Sequence, residues 1–211
     1  MAIVLDIHPQ TPQTRLIDQA VSVLREGGVI VYPTDTIYGL GCAISNKRAI
    51  LRLVAIKGRD PKKPLSIVCS DLSQVSEYAV ISKVAYRILR HCLPGPYTFV
   101  LPATLKVPKL LLTRQKTIGI RVPDHPVPLS LVGQLGEPII GTSANKSNEE
   151  NITDPDELKD RLGSQVDMIL ATGTLPVEPS SVISLVDDRV EILRRGGGDL
   201  AYIERLIKTA T

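Results

Sequence analysis

The sequence has no tryptophan, one phenylalanine and six tyrosines. Modules that read unpaired RNA stack bases on aromatic side chains, and this chain has few such platforms. An excess of one charge is lacking too. Its 25 basic and 22 acidic residues leave a net charge of +3, too small to argue by itself for a nucleic-acid partner. Cysteine is confined to Cys42, Cys69 and Cys92, an odd number without metal-ligand spacing, which predicts reduced thiols and a cytoplasmic setting. His8, His91 and His125 are scattered and share no metal-binding motif, and His125 reads as a loop residue. No apolar stretch reaches the length of a membrane span, and Met1-Ala-Ile-Val-Leu-Asp6 does not read as a signal peptide. A Walker P-loop, a nucleophile elbow and a cysteine–histidine signature are all absent. Gly196-Gly-Gly198 lacks the spacing of a dinucleotide fingerprint and reads as a flexible turn. Positioning and charge neutralisation are therefore expected ahead of covalent catalysis.

At 211 residues, 43% hydrophobic and 22% charged, the chain is long enough to bury a full core and reads as one domain over residues 1–211. Leu16, Ile17, Ala20, Val21 and Leu24 form one apolar helical face, closed by Gly27-Gly28. Val29–Tyr32 reads as a buried strand that opens at Pro33 into a loop carrying Thr34, Thr36, Gly39 and Gly41. A helix over Lys47–Lys57 is predicted, with Asn46 as its cap and Ile50, Leu51 and Val54 inward. Pro64–Cys69 reads as a strand, Asp71 as the cap of a short helix, and Lys83–Cys92 as another helix. Tyr97–Leu101, Thr117–Val122 and Ile139-Ile140 are further strands. Asp154-Pro155-Asp156-Glu157 is a helix start, and Val182–Val186 with Val190–Leu193 flank a hairpin turn. Alternating strands and helices predict an α/β fold with a mixed sheet.

Three stretches carry chemistry. Lys57, Arg59, Lys62 and Lys63 crowd four cations just after a helix. They read either as a solvated turn favoured by the helix dipole or as a clamp for polyphosphate oxygens. Thr142-Ser143-Ala144-Asn145 follows a buried strand and offers hydroxyls and an amide to a phosphate, base or ribose. Arg121 lies within a strand, where an unpaired guanidinium is costly; it pairs either with a structural carboxylate or with that of a substrate. The polar loop after Tyr32 belongs with these, because open α/β sheets bind ligands at the carboxyl ends of their strands.

Taken in order, Tyr32-Pro-Thr-Asp-Thr-Ile-Tyr-Gly-Leu-Gly41, Lys57-Gly-Arg59, Pro94-Gly-Pro-Tyr-Thr98, Thr117-Ile-Gly-Ile-Arg-Val-Pro123, Ser143-Ala-Asn145, Ser180-Ser-Val182 and Ile192-Leu-Arg194 resemble the YrdC/YciO family of threonylcarbamoyl-AMP synthases and their relatives. The resemblance implies a twisted mixed sheet with flanking helices around a central cavity. It also implies a reaction of L-threonine, bicarbonate and ATP, with Mg²⁺, to threonylcarbamoyl-AMP and pyrophosphate, the product serving a partner enzyme that modifies tRNA. Lys57 and Arg59 would be catalytic and bind ATP together with Thr117, Ser143, Asn145 and Arg194, while Thr36, Arg121 and Ser180 would hold threonine. Lys63 and Val68 depart from the synthase pattern, which carries Asn and His there. Ile7-His-Pro9 and the Leu93–Val100 stretch look closer to the YciO branch, and no second domain is expected. The alternative reading is a module of the same fold that binds double-stranded RNA or tRNA through a basic rim without synthase activity.

Overall fold

The computed structural model describes residues 1–58, 65–147, 149–176 and 178–210. The chain runs β1 (Ile3–Asp6), α1 (Thr14–Arg25), β2 (Ile30–Tyr32), β3 (Gly39–Ala43), α2 (Lys47–Lys57), β4 (Ser66–Val68), α3 (Leu72–Tyr78), α4 (Lys83–Cys92) and β5 (Tyr97–Pro102). It continues through β6 (Thr117–Arg121), α5 (Pro126–Leu135), β7 (Ile139–Ser143), α6 (Pro155–Leu162), β8 (Met168–Ala171), β9 (Ser181–Ser184), β10 (Glu191–Arg194) and α7 (Ala201–Ala210). The ten strands of the described residues join one mixed sheet in the order β1-β8-β2-β3-β7-β4-β6-β5-β9-β10. Among the described residues, no helix is long and apolar enough to cross a membrane.

Side chains alternate across a strand, so each strand contributes to both faces of the sheet. On one face Val29, Val31, Leu40, Cys42, Ile67, Ile118, Ile120, Phe99 and Ile183 join a single buried core. Residues from α2, α3, α4, α6 and α7 cover it, including Leu53, Val75, Leu89, Leu158 and Ile203. Each such side chain, fully buried, stabilises the fold by about 1.5–3 kcal/mol. The opposite face has its own smaller core, where Ile30, Tyr32, Val68, Ile139, Met168 and Leu170 pack against α1 and α5. Beyond those two helices this face changes character. Gly41, Gly141, Ser66, Gly119 and Val100 stand side by side across β3, β7, β4, β6 and β5. Glycine and serine leave a trough where a core would need large side chains.

Local chemistry accounts for the helix ends. Asn46 Oδ1 accepts from Ala49 N at 3.0 Å, Asp71 from Gln74 N at 2.8 Å, and Asp154 from Asp156 N at 2.9 Å. Gly27 and Gly58 adopt left-handed φ just past α1 and α2. Three expectations need correction. Gly39 and Gly41 lie in a strand rather than a loop, because their function is to leave room rather than to turn. Leu51 is 49% exposed, and Leu53 and Ile56 take the inward positions of α2 instead. His125 caps α5 with a buried ring, its Nδ1 accepting from Val127 N at 3.2 Å. Cys42, Cys69 and Cys92 are buried free thiols; burial raises Cys42 to about 12 and Cys92 to about 11, so they stay protonated near neutrality.

Candidate active site

The trough on the thinly covered face forms a cavity of about 440 Å³, within the range of small-molecule sites. Strand register assembles its floor. Tyr32 pairs with Gly39, and a Cβ added at Gly39 or Gly41 would lie 2.7 or 2.8 Å from atoms of the Tyr32 ring. The ring therefore rests flat on two glycines. A Cβ at Gly141 would meet Val68 Cγ2 at 2.9 Å and the Tyr32 hydroxyl at 3.0 Å. Ser66 Oγ donates to Gly141 O at 2.7 Å, and Val68 pairs in register with Arg121.

Cations surround this floor. Lys57, Arg121 and Arg194 line the cavity, whereas no aspartate or glutamate does so among the described residues. Lys57 is 4% exposed at the last turn of α2. Its ammonium donates to Ser143 O at 2.7 Å, Ser143 Oγ at 2.9 Å, Asn145 O at 2.7 Å and Asn145 Oδ1. Asn145 Nδ2 in turn donates to Glu149 O at 2.6 Å. The lysine thus ties α2 to the loop after β7 and shapes one wall.

Arg121, at the end of β6, meets the loop between β2 and β3. Its Nη2 donates to Thr34 Oγ at 3.2 Å, to Thr36 Oγ at 2.6 Å and to the Asp35 carboxylate. Asp35 Oδ2 also accepts from Asp124 N at 3.0 Å. This ion pair is nearly buried, with side chains 11% and 9% exposed. The structural carboxylate considered for Arg121 is thus Asp35, yet the guanidinium is not saturated. Its buried Nε has no partner among the described residues. At the other wall Arg194, exposed overall, donates to Ser180 O from Nη2 at 2.7 Å and from Nε at 3.2 Å. Burial of its guanidinium and the like charge of Arg121 both lower its pKa. Ser180 Oγ also lies 2.9 Å from Thr98 Oγ.

Of the residues singled out in the sequence, Lys57, Arg121, Ser143, Asn145, Ser180 and Arg194 share the cavity lining. Thr36 stands behind it and touches Arg121. Thr117 is buried, with its hydroxyl 2.8 Å from Thr113 Oγ, and lies outside the lining. Arg59, Lys62 and Lys63 lie outside the described residues. The sequence reading gave no site role to Tyr32, Ser66, Thr98, Gly119 or Gly141, although Tyr32, Thr98 and Gly119 lie within the quoted motifs; only the cross-strand register brings the five together. Lys57 and Arg194, with Arg121 beside its Asp35 partner, set a positive balance around the hydroxyls of the described lining, and that chemistry favours an anionic ligand. Among the described residues, no cluster of His, Cys, Asp or Glu could hold a metal ion.

The profile described as "Telomere recombination", that of the Sua5/YciO/YrdC proteins, matches residues 22–196. YciO of Escherichia coli, named as an uncharacterized protein, is 45% identical over 196 residues, covering 92% of this chain and 95% of that one. Its crystal structure superposes with a TM-score of 0.91 over 95% of this chain and 98% of YciO. A threonylcarbamoyl-AMP synthase of Vibrio vulnificus is 36% identical over 157 residues, 73% of this chain and 84% of the synthase. The P. abyssi Sua5 crystal structure with L-threonine matches at 29% identity and a TM-score of 0.91, over 98% of this chain and 61% of Sua5. The chain belongs to the Sua5/YciO/YrdC family.

Proposed function

We propose that this member of the family joins L-threonine, bicarbonate and ATP into threonylcarbamoyl-AMP, releasing pyrophosphate and water. The observation that carries the reading is the cavity in which Lys57, Arg121 and Arg194 meet hydroxyls and glycines with no lining carboxylate among the described residues. The synthase name of the V. vulnificus relative and the threonine bound to P. abyssi Sua5 support it.

The threonine amine captures bicarbonate as a carbamate with loss of water, and a carbamate oxygen then attacks the α-phosphorus as pyrophosphate leaves. Such a transfer needs in-line placement and neutralisation of charge more than a protein nucleophile. Lys57 supplies a buried positive charge beside Ser143 and Asn145, and in this reading Arg59, Thr117 and Arg194 complete the nucleotide contacts. Arg121 takes the threonine carboxylate, with Thr36 and Ser180 beside it. In this reading Mg²⁺ arrives with the nucleotide phosphates. The adenylate would be passed to a partner enzyme acting on tRNA. A cavity of about 440 Å³ suits small substrates better than an RNA duplex, which is read across an open surface. Incubating the protein with ATP, bicarbonate and single amino acids, and separating the adenylate products, tests the reading. A threonine-derived adenylate supports it; its absence despite bound ATP refutes it.

A further inference from the structure

We propose that the groove between α3 and α4 docks an acidic, amphipathic helical segment of a partner protein. The groove holds about 990 Å³ and is lined by Leu72 and Ser73 on one side and by Ile81, Lys83, Tyr86 and Arg87 on the other. None of these residues lines the cavity. Val75 of α3 and Leu89 of α4 pack into the larger core, on the sheet face opposite the glycine trough. A partner seated here therefore leaves the cavity free, and the inference does not depend on the reaction proposed for it.

The pattern of α4 sets the charge of this surface. Ala85, Ile88, Leu89 and Cys92 are buried, which leaves Lys83, Tyr86, Arg87 and Arg90 exposed along the opposite side, about one turn apart. The helix contains no acidic residue. Like charges three or four positions apart destabilise a helix, and nothing within the chain offsets them. Lys83, Arg87 and Arg90 form no ion pair with a described residue. The carboxylates at the two ends of α3 are engaged elsewhere and lie outside the groove lining. Asp71 accepts from Gln74 N at 2.8 Å as the cap of α3, and Glu77 accepts from Lys106 Nζ at 2.8 Å.

Apolar surface accompanies these cations. Tyr86 is 48% exposed, Val80 beside Ile81 is 58% exposed, and Leu72 and Ile81 are half-buried at the base. Tyrosine and arginine are the side chains that protein interfaces favour. A nucleic-acid backbone would satisfy the cations but leave Leu72 and Ile81 unmatched. A helix laid in a groove presents apolar anchors at its centre and charges at its margins. One with an aliphatic side chain for this base and carboxylates one turn apart matches both features, and the opposite charges fix its register.

Fluorescence anisotropy tests the assignment with three labelled probes: a helical peptide with leucines along one face flanked by glutamates, the same peptide with lysines for the glutamates, and a short RNA duplex. The protein should bind the glutamate peptide, more weakly as salt is raised, and should not bind the lysine peptide. The double variant Lys83→Glu, Arg87→Glu should keep its melting temperature, since both side chains are exposed and unpaired. It should lose about tenfold or more in affinity for the glutamate peptide and gain affinity for the lysine peptide. That gain cannot arise from misfolding. Tyr86→Ala should weaken the glutamate peptide without changing its salt dependence. No binding of the glutamate peptide, binding unchanged in the double variant, or loss there without the reciprocal gain overturns the proposal. So does an RNA duplex that binds through these side chains when the glutamate peptide does not.

Discussion

Lys57, at the end of α2, and Asn145, beyond β7, are locked together. The lysine ammonium donates to both the backbone oxygen of Asn145, at 2.7 Å, and its side-chain Oδ1. This contact converts a surface-looking cation of the sequence into a buried strut of the cavity wall.

Lys57→Met retains the stem and removes the charge. Its loss removes a charged donor from the Asn145 backbone oxygen, while Ser143 O keeps Asn145 N and Asn145 Oδ1 keeps Ser143 Oγ, so the variant should be less stable by about 1.5–3 kcal/mol and bind ATP correspondingly more weakly. Arg59→Ala should weaken ATP by a similar amount. Lys47→Ala, on the exposed face of α2, should change neither property. Urea unfolding and calorimetry with ATP check all three.

The trough makes a graded prediction. Gly141→Ala would place a methyl 2.9 Å from Val68 Cγ2 and 3.0 Å from the Tyr32 hydroxyl. It should cost about 1–3 kcal/mol by overpacking. Gly119→Ala meets Ser66 Cβ at 3.0 Å and Thr98 Cγ2 at 3.4 Å. It should cost less stability yet still reduce ligand affinity by filling the cavity. Thermal unfolding and threonine titration of both variants distinguish the two effects.

His125 adds a pH dependence. Burial lowers its pKa from the ordinary 6.5, partly offset by Asp35 and Asp124, so the fold favours the neutral ring. The unfolded chain takes up the proton first on acidification. The contribution is therefore fully present above pH 6.5 and is lost as pH falls toward the depressed folded value. Protonation also removes the Nδ1 acceptor that caps Val127 N. His125→Asn keeps a capping oxygen and should show a shallower loss of unfolding free energy as pH falls below 6.5.

Much of this was legible in the sequence, and the reason lies in the range of the forces involved. The apolar face Leu16, Ile17, Ala20, Val21 and Leu24 is buried as its spacing implied, and Asn46, Asp71 and Asp154 cap the predicted helices, because these are local signals. Lys57, Ser143 and Asn145 converge as the motifs suggested. The glycine trough was not legible: Gly41, Gly141, Ser66 and Gly119 come from four strands, and only register makes them neighbours. Tyr32 ends β2 as its apolar run implies, but nothing local in the sequence sets its ring against Gly39 and Gly41. Asp35 could not be assigned to Arg121, 86 residues away, without the fold that joins their loops.

Val68 stands next to Arg121 in register and is 2% exposed in the cavity wall. Val68→His would supply a donor and an acceptor where valine has neither. Combined with Lys63→Asn, it should raise threonine-dependent turnover about tenfold, the scale of one added hydrogen bond, with ATP affinity little changed. Steady-state kinetics with varied threonine checks it; unchanged or lower turnover would show that these positions do not govern the amino-acid site.

The most direct measurement is pyrophosphate release from ATP by the purified chain with threonine and bicarbonate supplied together, singly, or not at all. The account predicts release only when both are present, and its loss in Lys57→Met. Equal release without threonine, or none from a protein that binds ATP, would contradict it.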